Sequence, residues 1–217
     1  IPPLVALLHA GAESEAAKIA AWALESLASD NPTNRDAIRE AGAIPPLVAL
    51  LHAGAESEAA KIAAWALESL ASDNPTNRDA IREAGAIPLL VALLHAGAES
   101  EVTEIAACTL WYLACDNRTN QDAIREAGAI PPLVGLLHAG GESDAAEIAA
   151  DTLRNLASDN RTNQDAVREA GAIPPLVALL HAGAESEAAV KYAAGALESL
   201  ARDNPTNQDA IREAGAI

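Results

Sequence analysis

Residues 1–43 read IPPLVALLHAGAESEAAKIAAWALESLASDNPTNRDAIREAGA, and residues 44–86 repeat this stretch letter for letter. Three further copies begin at Ile87, Ile130 and Ile173, and the last copy carries one extra residue. A fixed period of this length is typical of a solenoid, in which each unit buries its apolar face only against its neighbours. Solenoids usually provide surfaces for binding rather than pockets for chemistry.

Each copy of the repeat predicts three helices. In the first copy, Pro2 opens a leading helix and Gly11 ends it, because proline suits a first helical turn and glycine a left-handed C-terminal position. A long helix follows over about residues 13–29, with apolar side chains at helical spacing. A closing helix covers residues 34–41. The pattern therefore predicts an all-α fold that forms one elongated domain.

The chain carries a formal net charge of −17, to which every copy contributes. Nucleic acids and anionic membranes select clustered Lys and Arg, so the charge argues against both as partners. Basic peptides or basic protein faces are the electrostatically reasonable partners. The alternative is that the charge only keeps an Ala-rich rod soluble.

Targeting signals and reactive groups are sparse in this sequence. No stretch approaches the roughly 20 apolar residues that span a bilayer, and no secretory signal opens the chain, so we expect a cytoplasmic location. The two cysteines, Cys108 and Cys115, lie about 10 Å apart along one predicted helix and are expected to be free thiols. No His or acid arrangement that would activate a nucleophile, no phosphate loop and no metal-ligand motif is present, which predicts no enzyme, no cofactor and no metal.

One histidine ends each leading helix, and a column of histidines suggests metal ligation. Successive copies lie too far apart for shared coordination at about 2 Å, whereas a cationic side chain suits a helix C-terminus. We therefore assign the five histidines to helix ends: His9, His52, His95, His138 and His181.

The stretches GAIPPLVALL and AAWALESLA, placed within three helices of a repeat of about 40 residues, resemble armadillo repeats, the units of importin-α and β-catenin. The resemblance covers the whole chain and implies a right-handed α-solenoid of about five armadillo repeats with uncapped ends. In the family's frame, the chain starts at the second helix of one unit and ends with the first helix of another. Counted from Ile1, the units are 1–43, 44–86, 87–129, 130–172 and 173–216.

Differences among the copies concentrate on one stripe of the long helix. Repeat positions 18, 22, 25, 26 and 29 accept residues as different as Trp, Cys, Asp and Gly, so we expect the stripe to be exposed. By resemblance it lines the concave groove in which family members hold extended peptides. The candidate groove residues are Trp22, Ser26, Trp65, Ser69, Cys108, Trp111, Tyr112, Asp151, Arg154, Asn155 and Ser199.

Peptide binding in the family implies a Trp on the long helix and an Asn four residues later. The Trp position holds Trp22 and Trp65 in the first two copies, and the Asn position holds Asn155 in the fourth, so no copy has both. The series of Trp and Asn residues along the groove is therefore incomplete. The two tryptophans also have a simpler interpretation, which is packing between stacked helices.

The first and last helices resemble interior ones, although terminal repeats of solenoids normally have polar outer faces. Leu4, Leu8 and Ile211 are the candidate contact residues at these ends. We expect a homo-oligomer in which one C-terminus docks on another N-terminus, or else a symmetric pairing of ends. The identity of the first two copies favours an engineered protein or a recent duplication.

Two functions follow as hypotheses. The first is a non-enzymatic protein-interaction scaffold with a concave, acidic groove for an extended and possibly basic peptide. The second is an engineered, self-assembling repeat protein with no natural ligand, whose ends stack between chains.

Overall fold

The computed structural model describes residues 1–181 and 186–216. Within these ranges the chain is helical and has no strand. The leading helices are α1 (Pro2–Leu8), α4 (Ile44–Leu51), α7 (Ala86–Leu93), α10 (Ile130–Leu136) and α13 (Ile173–His181). The long helices are α2 (Glu15–Ala28), α5 (Glu58–Ala71), α8 (Glu101–Ala114), α11 (Asp144–Ala157) and α14 (Glu187–Ala201). The closing helices are α3 (Pro32–Glu40), α6 (Pro75–Glu83), α9 (Arg118–Glu126), α12 (Arg161–Glu169) and α15 (Pro205–Glu213).

These elements confirm the predicted all-α solenoid with three helices per copy. Short 3-10 helices at Leu94–Ala96 and Leu137–Ala139 extend α7 and α10. The helix α14 has 15 residues where the other long helices have 14, so the extra residue of the last copy lies inside it. The predicted unit 173–216 includes residues 182–185, which lie outside the described residues.

A sharp turn joins each long helix to its closing helix. The turn contains an Asp with a positive φ of 48–52°, a conformation that Asp tolerates better than most residues. The next residue is an Asn whose side chain accepts a hydrogen bond of 3.0–3.1 Å from the backbone N–H three residues later. This Asn is the N-cap and fixes where the closing helix begins. The five caps are Asn31, Asn74, Asn117, Asn160 and Asn204.

One continuous core of Ala, Leu, Ile and Val runs through the described part of the chain. Successive long helices contact one another along much of their length, because buried alanines such as Ala20 and Ala63 let the backbones approach closely. Successive leading helices touch at far fewer positions. The layer of long helices is therefore the tightly packed, inner side of the array, and its solvent-facing surface is the groove side.

Buried polar side chains join neighbouring copies. Asn163 is fully buried, and its Nδ2 donates to the carbonyl oxygens of Leu156 at 2.9 Å and of Gln121, in the preceding copy, at 3.2 Å. Gln164 donates to the carbonyl oxygen of Ser199, in the following copy, at 3.0 Å. The bonds to Leu156 and Ser199 satisfy carbonyls in the last turns of α11 and α14 that would otherwise be unpaired. The bonds to Gln121 and Ser199 also fix the spacing of one copy against the next.

Copies one and two have the same sequence but not the same burial. Leu27 is 37% exposed, whereas its equivalent Leu70 is fully buried. Ile19 is 59% exposed, whereas Ile62 is 9% exposed. The difference comes from the neighbour, because copy one packs over this surface of copy two, whereas no described residue packs over the same surface of copy one.

Candidate functional site

The candidate groove lies on the solvent side of the adjoining long helices α2, α5, α8, α11 and α14. Stripe positions 22 and 26 are one turn apart on the same helix face. Trp22 is 62% exposed and Trp65 is 42% exposed, on neighbouring helices. Side chains this accessible are not part of the packed core, which favours the groove interpretation of both over packing.

The stripe is less open at its C-terminal end than the sequence indicates. Asp151 is 8% exposed and Ser199 is 6% exposed, although both occupy positions expected to face solvent. Arg154 covers part of this region, with its Nη2 atom 2.9 Å from Asp151 Oδ1. A Cβ atom at Gly195 would lie only 2.9 Å from Arg154 Cδ, so glycine makes room for the arginine.

Polar contacts across the groove join consecutive copies. Ser69 Oγ donates to Glu25 Oε1 at 3.4 Å, and Cys108 Sγ donates to Glu68 Oε1 at 3.3 Å. Asn155, the single Asn at the family's Asn position, donates from Nδ2 to the backbone oxygen of Trp111 at 3.4 Å. Its amide is therefore engaged within the protein.

The two aromatic residues of copy three, Trp111 and Tyr112, have different surroundings. Trp111 and Tyr112 make an edge-to-face contact with ring centroids 4.6 Å apart. Tyr112 packs against the core, whereas Trp111 lines a cavity of the groove. Of this pair, only the tryptophan lines the cavity.

Burial changes the ionisation of several groove groups. It raises the pKa of the Cys108 thiol strongly, and the neighbouring Glu68 carboxylate adds to the effect. A thiol held protonated in this way is a poor nucleophile, and both cysteines are free. Burial also raises the pKa of Glu68 and of Asp151, in the latter case against the opposing charge of Arg154.

Two cavities open between the long helices. The first has a volume of about 240 Å³ and lies between α2 and α5; its main walls are Ile19, Trp22, Ile62 and Trp65. The second has a volume of about 370 Å³ and lies among α8, α11 and α14. Its lining residues are Glu104, Cys108, Trp111, Asp144, Glu147, Ile148, Asp151 and Tyr192.

Several of these lining residues were missed as site residues. Glu104 and Glu147 stand where copies one and two have lysine. This difference among the copies was the sequence signal that could have identified them as site residues. Tyr192 replaces Ile19 of copy one. Its place in the cavity depends on how α14 packs beside α11, which no single copy encodes.

The candidate end residues are mostly covered by the chain itself. Leu8 is 2% exposed and Ile211 is 6% exposed, so neither offers a contact surface, and Leu4 is half-buried. Besides the groove residue Trp22, the exposed large apolar side chains of the N-terminal copy are instead Leu7, Ile19 and Leu27. Leu8 turns inward because the face of α1 that carries it packs against α2.

Two other kinds of site are absent from the part of the chain that the structure describes. Over residues 1–181 and 186–216, no three His, Cys, Asp or Glu side chains come together in a way that could hold a metal ion. In the same ranges, every helix is too short or too polar to cross a membrane.

The buried Glu68 carboxylate makes stability depend on pH. Because its pKa is raised on folding, its protonated form stabilises the fold, and this contribution is lost as the pH rises from about 4.5 through the raised value. We expect Glu68→Gln to raise the unfolding temperature at pH 7 and to flatten its decline between pH 4.5 and pH 7, as followed by circular dichroism. Exposed Glu56→Gln should change neither, and a lower unfolding temperature for Glu68→Gln at pH 7 would contradict the assignment.

Comparisons with known proteins agree with this architecture. The family described as armadillo/beta-catenin-like repeat matches residues 31–72, 74–115, 117–158 and 160–202. No curated protein sequence matches the chain significantly.

Solved structures of designed proteins are similar over nearly the whole chain. A designed armadillo repeat protein is 33% identical with a TM-score of 0.89, covering 99% of this chain and 88% of that one. Another, in complex with the peptide (KR)4, is 34% identical with a TM-score of 0.88, covering 99% and 87%. A crystal structure of computationally designed armadillo repeat proteins for modular peptide recognition is 32% identical with a TM-score of 0.90, covering 100% and 88%. On the matched repeats and these similarities, the chain belongs to the armadillo repeat family.

Proposed function

We propose that this protein is a non-enzymatic scaffold that binds an extended peptide along the long-helix groove. The observation that carries the proposal is the exposure of Trp22 and Trp65 on adjoining helices, with a cavity between them. Neighbouring helices lie about 8–10 Å apart and an extended chain advances about 3.3 Å per residue, so each copy meets two or three peptide residues. Similar designed proteins include one in complex with (KR)4, which supports a basic peptide as the first probe.

The charge of the chain supports the same class of ligand. A net charge of −17 favours association with basic peptides through long-range attraction, which added salt weakens. Long-range electrostatic attraction alone would not restrict the peptide to one part of the protein surface. The tryptophans and the cavities between the long helices favour the groove as its location.

Fluorescence anisotropy with labelled (KR)4 tests the proposal. We expect saturable binding that weakens with salt, and no binding of an acidic (DE)4 peptide. Trp65→Ala should weaken binding roughly fivefold, because a ring that contacts the peptide is lost, while helical content by circular dichroism is unchanged.

A matched control separates the groove from bulk charge. Glu83→Lys alters the charge on a closing helix, outside the groove, and should change (KR)4 affinity by less than about twofold. Equal effects of Trp65→Ala and Glu83→Lys, or no saturable binding at all, would overturn the proposal.

A second candidate function is self-assembly, favoured by the exposed apolar side chains Leu7, Ile19 and Leu27. At every internal junction, the leucines equivalent to Leu7 and Leu27 are buried, next to the preceding copy of the repeat. The occupant we propose is therefore the C-terminal copy of a second molecule, in a head-to-tail contact. Light scattering after size exclusion should show oligomers that dissociate on dilution and that Leu27→Glu abolishes; a monomer at all concentrations would exclude this candidate.

A further inference from the structure

The exposed surface of copy one has a counterpart in this structure that is covered. Copies one and two share one sequence, and Leu70, the equivalent of Leu27, is fully buried where α5 packs against α2. Ile62 likewise loses most of the exposure that Ile19 has. The structure therefore shows one occupant that fits a surface of this sequence, which is the C-terminal side of another copy.

The C-terminal side of copy five is less covered than that of the other copies. Ala194 and Gln208 are exposed and Ala201 is half-buried, whereas the residues at these three positions in copies one to four are all buried. Copy one, which covers copy two, also has Ala, Ala and Asp at the positions of Ala194, Ala201 and Asp209. At the position of Gln208, copies three and four have Gln. Copy five therefore carries the residue types with which the other copies cover their neighbours.

One hydrogen bond crosses all four internal junctions at the same position. The N-cap Asn of a closing helix donates from Nδ2 to an Asp carboxylate on the closing helix of the preceding copy, at 2.9–3.1 Å. Because the acceptor is ionised, this bond is charge-assisted and stronger than a bond between neutral groups. The four pairs are Asn74–Asp36, Asn117–Asp79, Asn160–Asp122 and Asn204–Asp165.

The two outer surfaces hold the separate halves of this bond. Asn31 caps α3 with its Oδ1 atom, and its Nδ2 donates to no described residue. Among the described residues, Asp209 pairs only with Arg212 of its own helix, at 2.9 Å. An unmet donor on one surface and a carboxylate on the other therefore match as the same pair does inside the array.

A second hydrogen bond follows the same pattern. Gln164 donates to the carbonyl oxygen of Ser199 in the following copy at 3.0 Å. Gln208 has the same position in copy five and, within the described ranges, donates only to the carbonyl oxygen of Ala201 in its own copy, at 2.9 Å. The residue of copy one at the position of Ser199 is Ser26. Its carbonyl oxygen is the equivalent acceptor for Gln208 of another molecule.

We propose that copy five of one molecule packs on copy one of a second molecule in the register of an internal junction. Asn31 Nδ2 then donates to Asp209 across the interface, and Gln208 donates to the carbonyl oxygen of Ser26. This inference rests on self-assembly, the second candidate function, and adds the surfaces, the register and the polar contacts of the interface. Because two different surfaces meet, each added molecule presents the same free surfaces again, and the array grows as a continuous solenoid. A two-fold pairing of N-terminal surfaces would instead leave Asn31 without the carboxylate of copy five.

Two variants that each block one surface test the head-to-tail contact. Leu27→Glu places a charge on the N-terminal surface, and Ala194→Arg places a long side chain on the C-terminal surface. We expect sedimentation equilibrium to show a concentration-dependent series of oligomers for the unaltered protein and a monomer for each variant. An equimolar mixture of the two variants should form 1:1 dimers and nothing larger, because only one intact surface of each kind remains in the mixture.

Matched controls use a position of the leading helix that is exposed in every copy. Ala6→Glu changes this position in copy one, and Ala178→Arg changes it in copy five. Both variants should assemble as the unaltered protein does, since the position lies outside the internal junctions. Circular dichroism checks that all the variants keep their helical content.

A second pair of variants tests the register of the contact. Asn31→Asp keeps an N-cap side chain, because Asp caps a helix about as well as Asn, but it removes the Nδ2 donor and faces Asp209. We expect association to weaken about tenfold or more, since a charge-assisted bond is replaced by repulsion. Adding Asp209→Asn reverses the pair, so the double variant should recover the original affinity to within about threefold.

Each contrary outcome overturns a different part of the proposal. Oligomers formed by Leu27→Glu alone or by Ala194→Arg alone would overturn the head-to-tail contact, while self-assembly through other surfaces stands. A double variant that associates no more tightly than Asn31→Asp would overturn the register. If the unaltered protein is a monomer at every concentration, the second candidate function itself fails.

Discussion

Leu70→Ala is expected to lower the free energy of unfolding by about 2–5 kcal/mol, the range for truncating a fully buried leucine. Leu70 is 0% exposed and lies at the junction between copies one and two. Removing its side chain leaves a cavity in a core made mostly of alanine and leucine, where few large neighbours can collapse into the space. The measurement is thermal or urea unfolding followed by circular dichroism at 222 nm.

Leu27→Ala is the matched control for this substitution. Leu27 has the same position and the same flanking sequence in copy one, but 37% of it is exposed. We expect its truncation to cost less than half as much, since exposed apolar surface contributes little to the hydrophobic stabilisation. Equal costs for Leu27→Ala and Leu70→Ala would show that the neighbouring copy does not determine the burial of this position.

Asn163→Ala is expected to cost about 1–3 kcal/mol, because it leaves the buried carbonyl oxygen of Leu156 at the end of α11 without a donor. The lost bonds are those from Asn163 Nδ2 to Leu156 at 2.9 Å and to Gln121 at 3.2 Å. The second of these crosses the junction between copies three and four. The unfolding transition of the variant should therefore also become broader, as coupling between the two halves of the array weakens.

Asn34→Ala removes the equivalent side chain from copy one. Asn34 donates to the carbonyl oxygen of Leu27 at 2.8 Å, at an exposed position where water can replace the bond. We expect a cost below about 1 kcal/mol. A loss for Asn163→Ala no larger than that for Asn34→Ala would mean that the buried bonds do not couple the copies.

The fold could be predicted from the sequence because one signal occurs five times. Proline and glycine mark the ends of the leading helix, and apolar spacing marks the long helix. The sequence of a single copy could not predict which residues are buried at the junctions between copies. Leu27 and Leu70 are identical in local sequence, so only the stacked structure distinguishes them.

The candidate site was predictable in outline but not in chemistry. Differences among copies predicted the stripe, because core positions keep their residue type and the stripe positions do not. They could not show that Asp151 is buried, since this depends on contacts between side chains of different helices. Nor could they bring Tyr192 of copy five to the same cavity as Trp111 of copy three, two copies away in sequence.

The exposed apolar residues of copy one have a consequence for how the molecule opens. Copies one and two have the same sequence, so their backbone amides have the same local sequence context. Only copy two, however, packs against another copy on both sides. Amide hydrogens of α1 and α2 should therefore exchange with deuterium faster than the sequence-identical amides of α4 and α5. Local unfolding should then begin at the N-terminal edge and proceed inward, so that the interior copies are the last to lose protection.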